Sequence, residues 1–135
     1  MASWLLKTEP STYSWQQLVA DGRAVWDGVT SNAALLHLRQ MKAGDEAIIY
    51  HSGEERAVVG IARITRSAYP DPALDDPRLV VVAIEPERPL TKPVPLAAIK
   101  ADERLADFAL VRISRLSCMP VSPAHRARLR SLGVK

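Results

Sequence analysis

Ala47-Ile48-Ile49-Tyr50-His51-Ser52-Gly53-Glu54-Glu55-Arg56-Ala57-Val58-Val59-Gly60-Ile61-Ala62-Arg63-Ile64, residues 47–64, reads as two strands around a polar turn. Aliphatic and β-branched residues fill 47–50 and 57–64, which suits a pleated, buried surface. Ser52-Gly53-Glu54-Glu55 makes the turn, and Gly60 inside the second strand predicts a curve there. Working outward, residues 70–77 hold three prolines and three aspartates and read as a loop. A β-branched strand follows at 79–84. Four of the ten prolines then fall in 85–95, an irregular crossing to a short helix at 96–100. A further strand is expected at 109–114, and Cys118 stands in a core strand. Ser122-Pro123 caps and starts a last helix over 123–131, which Gly133 stops. Toward the N-terminus, residues 3–7 form a strand that ends before Pro10. Ser14 and Gln17 have capping-box spacing for a helix at 15–20, closed by Asp21-Gly22. After Trp26, the Gly28 turn leads to a helix at 32–42, capped by Ser31, with Leu35, Leu38 and Met41 on its apolar side. Short strands separated by small helices, without regular βαβ units, predict an α+β fold built on a strongly bent mixed β-barrel with peripheral helices. No repeat or linker interrupts residues 1–135, so one domain is expected.

Composition narrows the function classes. Hydrophobic residues make up 47% of the chain and charged residues 24%, an ordinary balance for a globular protein. The longest apolar runs, such as 79–84, fall far short of the roughly 20 residues of a membrane span. The chain reads directly into a strand with no basic flank, so no signal peptide is expected. A single cysteine, Cys118, fits a reducing compartment and a cytoplasmic location. The net charge of +3 is unevenly spread: residues 109–135 hold six basic side chains and no acid, while residues 1–108 hold 12 basic and 15 acidic ones. The basic stretch is either an anion-facing surface or a solvated helix.

Rings are scarce, with three Trp, three Tyr and one Phe, so their placement is informative. Trp26 precedes an Asp27-Gly28 turn, which puts its ring at a rim suited to stacking on a base; the alternative is core filling. Trp4 and Trp15 are expected in the core and under the first helix. Lys7-Thr8-Glu9 supplies a donor, a hydroxyl and an acceptor at a strand exit, a set able to read the edge of an extruded base. The plainer reading is a surface ion pair worth under about 1 kcal/mol. Tyr50-His51-Ser52 ends a strand at the same level, but neighbouring strand residues face opposite ways, so His51 and Ser52 make no catalytic dyad. His37, His51, Cys118 and His125 lack zinc-ligand spacing, and there is no glycine-rich phosphate loop. Arg115-Leu116-Ser117 offers a guanidinium to a phosphate or a helix end.

Taken in order, Lys7-Thr8-Glu9-Pro10, Trp26-Asp27-Gly28-Val29, Tyr50-His51-Ser52, Val59-Gly60-Ile61, Tyr69-Pro70-Asp71 and Arg115-Leu116-Ser117 resemble the EVE domain family, a branch of the PUA-like fold. The likeness runs from Trp4 to about Leu132. It implies a non-catalytic reader of a modified, flipped-out base in DNA or RNA, with no cofactor, metal or membrane. The family is distantly similar to YTH domains, whose aromatic cage includes a Trp after the first strand and short helix, where Trp26 falls. The implied base-binding set is Trp26, Lys7, Thr8, Glu9, Asp27, Val29, Ser31, Asn32, Tyr50 and His51. The implied phosphate-binding set is Arg115, Ser117, Arg126 and Arg130. Many family members continue after Trp-Asp-Gly-Val with Arg-Asn-Tyr-Gln-Ala-Arg-Asn, whereas this chain has Thr30-Ser31-Asn32-Ala33-Ala34-Leu35-Leu36. If those groups touch the ligand in relatives, this protein reads a different base or uses other contacts. Two other classes stay open: a small enzyme or small-molecule binder using the same pocket, and a partner domain of a larger complex.

Overall fold

The computed structural model describes residues 1–113 and 115–133. Ser114, at the end of the expected 109–114 strand, and Lys135 of the basic tail lie outside them. Six strands form one sheet: β1 (Ser3–Thr8), β2 (Ala24–Trp26), β3 (Glu46–His51), β4 (Ala57–Pro70), β5 (Val80–Pro95) and β6 (Cys118–Val121). Their order is β2-β5-β4-β3-β1-β6. Among the described residues only the β1–β3 pair is parallel; the other pairs are antiparallel. The helices are α1 (Trp15–Asp21), α2 (Asn32–Gln40), α3 (Leu96–Ala101), α4 (Ala109–Arg112) and α5 (Pro123–Gly133), with a 3-10 turn at Glu103–Leu105. The class is the expected α+β with short helices around a mixed sheet. The sheet does not close into a barrel, however, because β2 and β6 end it without pairing to each other.

The central hairpin anchors this arrangement. All six residues of β3 are buried, since β1 and β4 flank it and helices cover the sheet. Ile48, Ile49, Ile61, Ile64 and Ile84 interlock with Leu5 and Leu6 of β1 in one continuous core. Gly60 has a second purpose beside curvature. A Cβ there would lie 2.6 Å from Trp15 ring atoms, so the missing side chain is the seat on which α1 docks. Trp4 packs in the core with its indole N–H donating to Asp45 Oδ2 at 3.0 Å, which satisfies the one polar atom of the ring.

β2 is an addition to the expected elements and β4 runs on past 64 to Pro70, while two expected elements differ in kind. Residues 85–95 are no irregular crossing but the second half of β5, which pairs with β4 through several register shifts. Prolines are tolerated because β2 covers only Val82–Ile84 on the other side, leaving 85–95 an open edge where a missing N–H breaks no ladder. The expected strand at 109–114 is α4 instead, packed through Leu110. Ala109-Leu110-Val111-Arg112 is too short to show either periodicity, so its surroundings decide.

Candidate nucleic-acid interface

A cavity of about 560 Å³ lies where β1 exits toward α1 and where β2 turns at Gly28. Several short hydrogen bonds build its walls. The Lys7 N–H donates to Ser117 O at 2.9 Å, which draws the 115–117 segment against the strand exit. The Thr8 hydroxyl donates to Tyr13 O at 2.7 Å, and the Thr12 and Tyr13 N–H groups both donate to Glu9 O at 2.9 Å. These bonds tighten the β1–α1 turn and fix Tyr13. Its ring meets Trp26 edge-on, with centroids 6.3 Å apart and planes at 82°. The Tyr13 hydroxyl donates to Asp21 Oδ2 at 2.8 Å, and Gln17 Nε2 donates to Asp21 Oδ1 at 3.0 Å. Burial, then the Asp21 carboxylate, push the Tyr13 phenol up to about 12, so it stays a neutral donor at physiological pH. Gly22 (φ 77°) closes α1 in left-handed geometry, and Gly28 (φ 78°) does the same after β2.

Six of the sequence-predicted residues line this cavity: Lys7, Thr8, Trp26, Asp27, Val29 and Ser117. Trp26 is not the exposed rim ring that its turn suggests. It is 8% exposed, and its wall of the cavity is continuous with the core. Lys7 is half-buried, its ammonium 5.9 Å from the Tyr50 ring centroid, and burial lowers its pKa. Tyr50 therefore sits beside Lys7 and outside the cavity lining.

The other predicted residues stand elsewhere. Glu9 faces a separate shallow depression with Ser11 and Gly53, and accepts from the Ser11 hydroxyl. His51 is buried; its Nε2 accepts from the Trp15 N–H at 2.9 Å and its Nδ1 meets Glu55 Oε1 at 2.8 Å. It is thus a neutral imidazole with the proton on Nδ1, tying α1 to the end of β3. Ser31 caps α2 by accepting from the Ala34 N–H, and Asn32 begins that helix on the surface, both outside the cavity lining. Arg115 is exposed two residues before Ser117. On α5, Arg126 binds Glu46 with both Nε (2.7 Å) and Nη2 (3.1 Å), and Arg128 binds Asp102. Arg130 is half-buried on the same helix.

Thr12, Tyr13, Asp21 and Arg23 also line the cavity and escape the sequence reading. One of them leaves a signal. Asp21 is the last residue of α1, where the helix dipole disfavours an acid, so the position calls for a reason beyond the helix. The arrangement offers stacking surface, donors and acceptors but, among the described residues, no activated nucleophile. Both imidazole nitrogens of His51 are engaged, and Cys118 donates its thiol proton to Ala34 O while burial pushes its pKa to about 12. Among the described residues no three His, Cys, Asp or Glu side chains are grouped to hold a metal, and no helix is long and apolar enough to cross a membrane.

Comparison with known proteins agrees with this architecture. Human thymocyte nuclear protein 1 is 29% identical over 153 residues, covering 88% of this chain and 68% of that protein. The solution structure of Rpa0253 from Rhodopseudomonas palustris superposes with a TM-score of 0.94 at 47% identity, covering 98% of this chain and 93% of the other. The crystal structure of the human THYN1 protein in complex with DNA containing 5-methylcytosine superposes at 0.92 with 28% identity, covering 100% and 99%. The family model of the EVE domain matches residues 2–132. With its sheet order, its helices and nearly its whole length accounted for in this way, the chain belongs to the EVE domain family.

Proposed function

We propose that the protein is a non-catalytic module that binds DNA carrying a modified base and takes that base, turned out of the duplex, into the cavity. The carrying observation is the cavity itself: two rings at right angles beside two cations, Lys7 and Arg23, in a space of about 560 Å³. A base outside its stack needs an aromatic partner and hydrogen bonds to its edge, and this lining supplies both. The likeness to human THYN1 bound to 5-methylcytosine-containing DNA supports DNA as the polymer. Trp26 and Tyr13 give the apolar walls, while Lys7, Thr8 and Asp27 give polar groups to the base. Arg23, Arg115 and Ser117 hold the backbone, with Arg130 as an outer contact. Arg126 reaches a phosphate only by leaving Glu46.

The test is a fluorescence-anisotropy titration of the whole chain with duplexes that differ in one cytosine: plain, 5-methyl or 5-hydroxymethyl, each at several salt concentrations. A matching RNA is run beside them. The expected result is tighter binding to a modified duplex, with affinity falling by a log–log slope of about 0.9 for each phosphate neutralised. Equal affinity for all cytosines would remove the modified base from the reading. A flat salt response would promote a small-molecule ligand, for which the cavity volume is also suitable.

A further inference from the structure

We infer that Asp21 is the residue by which the cavity selects a base with an exocyclic amino group, a cytosine-type base over a thymine-type one. The inference rests on the base-binding reading above. It starts from a position the fold does not require. Asp21 ends α1 at the negative pole of the helix dipole, and no basic residue stands in that last turn to offset it. Gly22 already closes the helix through its own N–H to Leu18 O. A neutral or basic residue would serve the helix better.

The carboxylate is fixed by its neighbours. Tyr13 donates to one oxygen and Gln17 to the other, at 2.8 and 3.0 Å, which sets the plane of the group. Those two bonds use about half of the acceptor positions of an ionised carboxylate. The remaining positions are acceptors only, on a residue that lines the cavity together with Tyr13 and Trp26. An amino group such as N4 of cytosine is the matching donor, and Asp accepting from that group is a known base contact. Thymine puts a carbonyl oxygen at the same place, where it would meet a carboxylate oxygen with no proton between them. Asp27, the other carboxylate of the lining, has no hydrogen bond among the described residues and lacks this fixed orientation. Arg23, two residues on, also lines the cavity.

5-Methylcytosine and thymine share the methyl group and differ at position 4 and at the N3 proton, so they isolate the claim. Two duplexes carry one or the other opposite an abasic site, which equalises the work of extruding the base. Wild-type protein is expected to bind the 5-methylcytosine duplex roughly 5- to 150-fold more tightly. Asp21→Asn, which keeps an acceptor for Tyr13 but adds a donor, should bring that ratio close to unity. Its thermal midpoint should stay close to that of wild type, since relief at the helix end offsets the weakened bonds from Tyr13 and Gln17. Tyr13→Phe, which removes the donor from one Asp21 oxygen while Gln17 still holds the other, should weaken both duplexes and lower the ratio only in part. Equal wild-type binding of the two duplexes, or a ratio kept in Asp21→Asn, overturns the inference alone. Wild-type protein that binds neither duplex overturns the base-binding reading, and this inference with it.

Discussion

Two regions of the molecule carry positive charge in opposite ways. Along α5 two of the three arginines are committed: Arg126 is bidentate on Glu46, and Arg128 is paired with Asp102. Around the cavity the cations are few, but Lys7 and Arg23 line an open space. A run of arginines in a sequence therefore counts charge without locating it. Glu46 is 5% exposed and 80 positions from Arg126, so the helix spends its charge on holding the sheet. The cavity end, poorer in charge, carries it in the lining itself.

The largest expected effect falls on the cavity end. Trp26→Ala removes a buried ring shared by the core and the cavity, and should cost about 3–5 kcal/mol in chemical denaturation. Modified-base binding should be lost as well, by up to about 1–3 kcal/mol of stacking. A mutant of wild-type stability would show that the ring belongs to the ligand alone.

The next pair of variants sets the two regions against each other. Arg126→Gln should destabilise by about 1–3 kcal/mol, because a buried carboxylate loses its charged partner while Arg126 itself is only partly buried. The salt slope of DNA binding should stay unchanged. Arg23→Gln should do the reverse, with stability within about 0.5 kcal/mol of wild type and a slope reduced by about 0.9. A lower slope in Arg126→Gln with full stability would return α5 to the DNA surface.

Acid gives the smallest effect and the finest comparison. The Arg128 hydrogen bond holds Asp102 below the ordinary carboxylate range, and the His125 hydrogen bond does the same for Asp107. For Asp45, burial works the other way, but donation from the Trp4 indole and the Ala2 and Lys42 N–H groups outweighs it and lowers the pKa. A depressed folded pKa contributes stability that is present above the unfolded value near about 4 and is lost as pH falls through the folded one. Two of these three aspartates fasten α5. Amide NMR signals of α5 should therefore broaden earlier in an acid titration than those of β2 and the cavity turns. Simultaneous loss would mean that the two ends unfold as one unit.

These contrasts also explain what could be read without coordinates. β1, β3, the first half of β4 and the caps of α1 and α2 announce themselves through residues within a few positions of each other. Ser14 accepts from the Gln17 N–H as its spacing suggests. The second half of β5 was hidden by its prolines, since only the short reach of β2 makes them harmless. β2 was hidden by its length of three residues. In the cavity, Lys7, Thr8 and Trp26 were legible as polar and aromatic residues at strand ends. His51 was not, because its two partners, the Trp15 N–H and Glu55, are set by the docking of α1. Tyr13 and Asp21 are eight positions apart and still went unread: neither a capping rule nor helix periodicity links a loop tyrosine to a helix end.

β2 itself has a consequence for motion. It pairs only with β5, for three residues, and lies between two glycines in left-handed geometry, so little backbone bonding resists its departure. What retains it is the buried ring of Trp26. The strand behaves as a tethered flap whose opening energy is mostly side-chain packing, far below that of β3. Deuterium should therefore enter the amides of Ala24–Trp26 by local opening, well before the central strands exchange. A ligand held against Trp26 would slow that uptake where the strand is weakest, and an exchange experiment would register occupancy of the cavity without any label on the DNA.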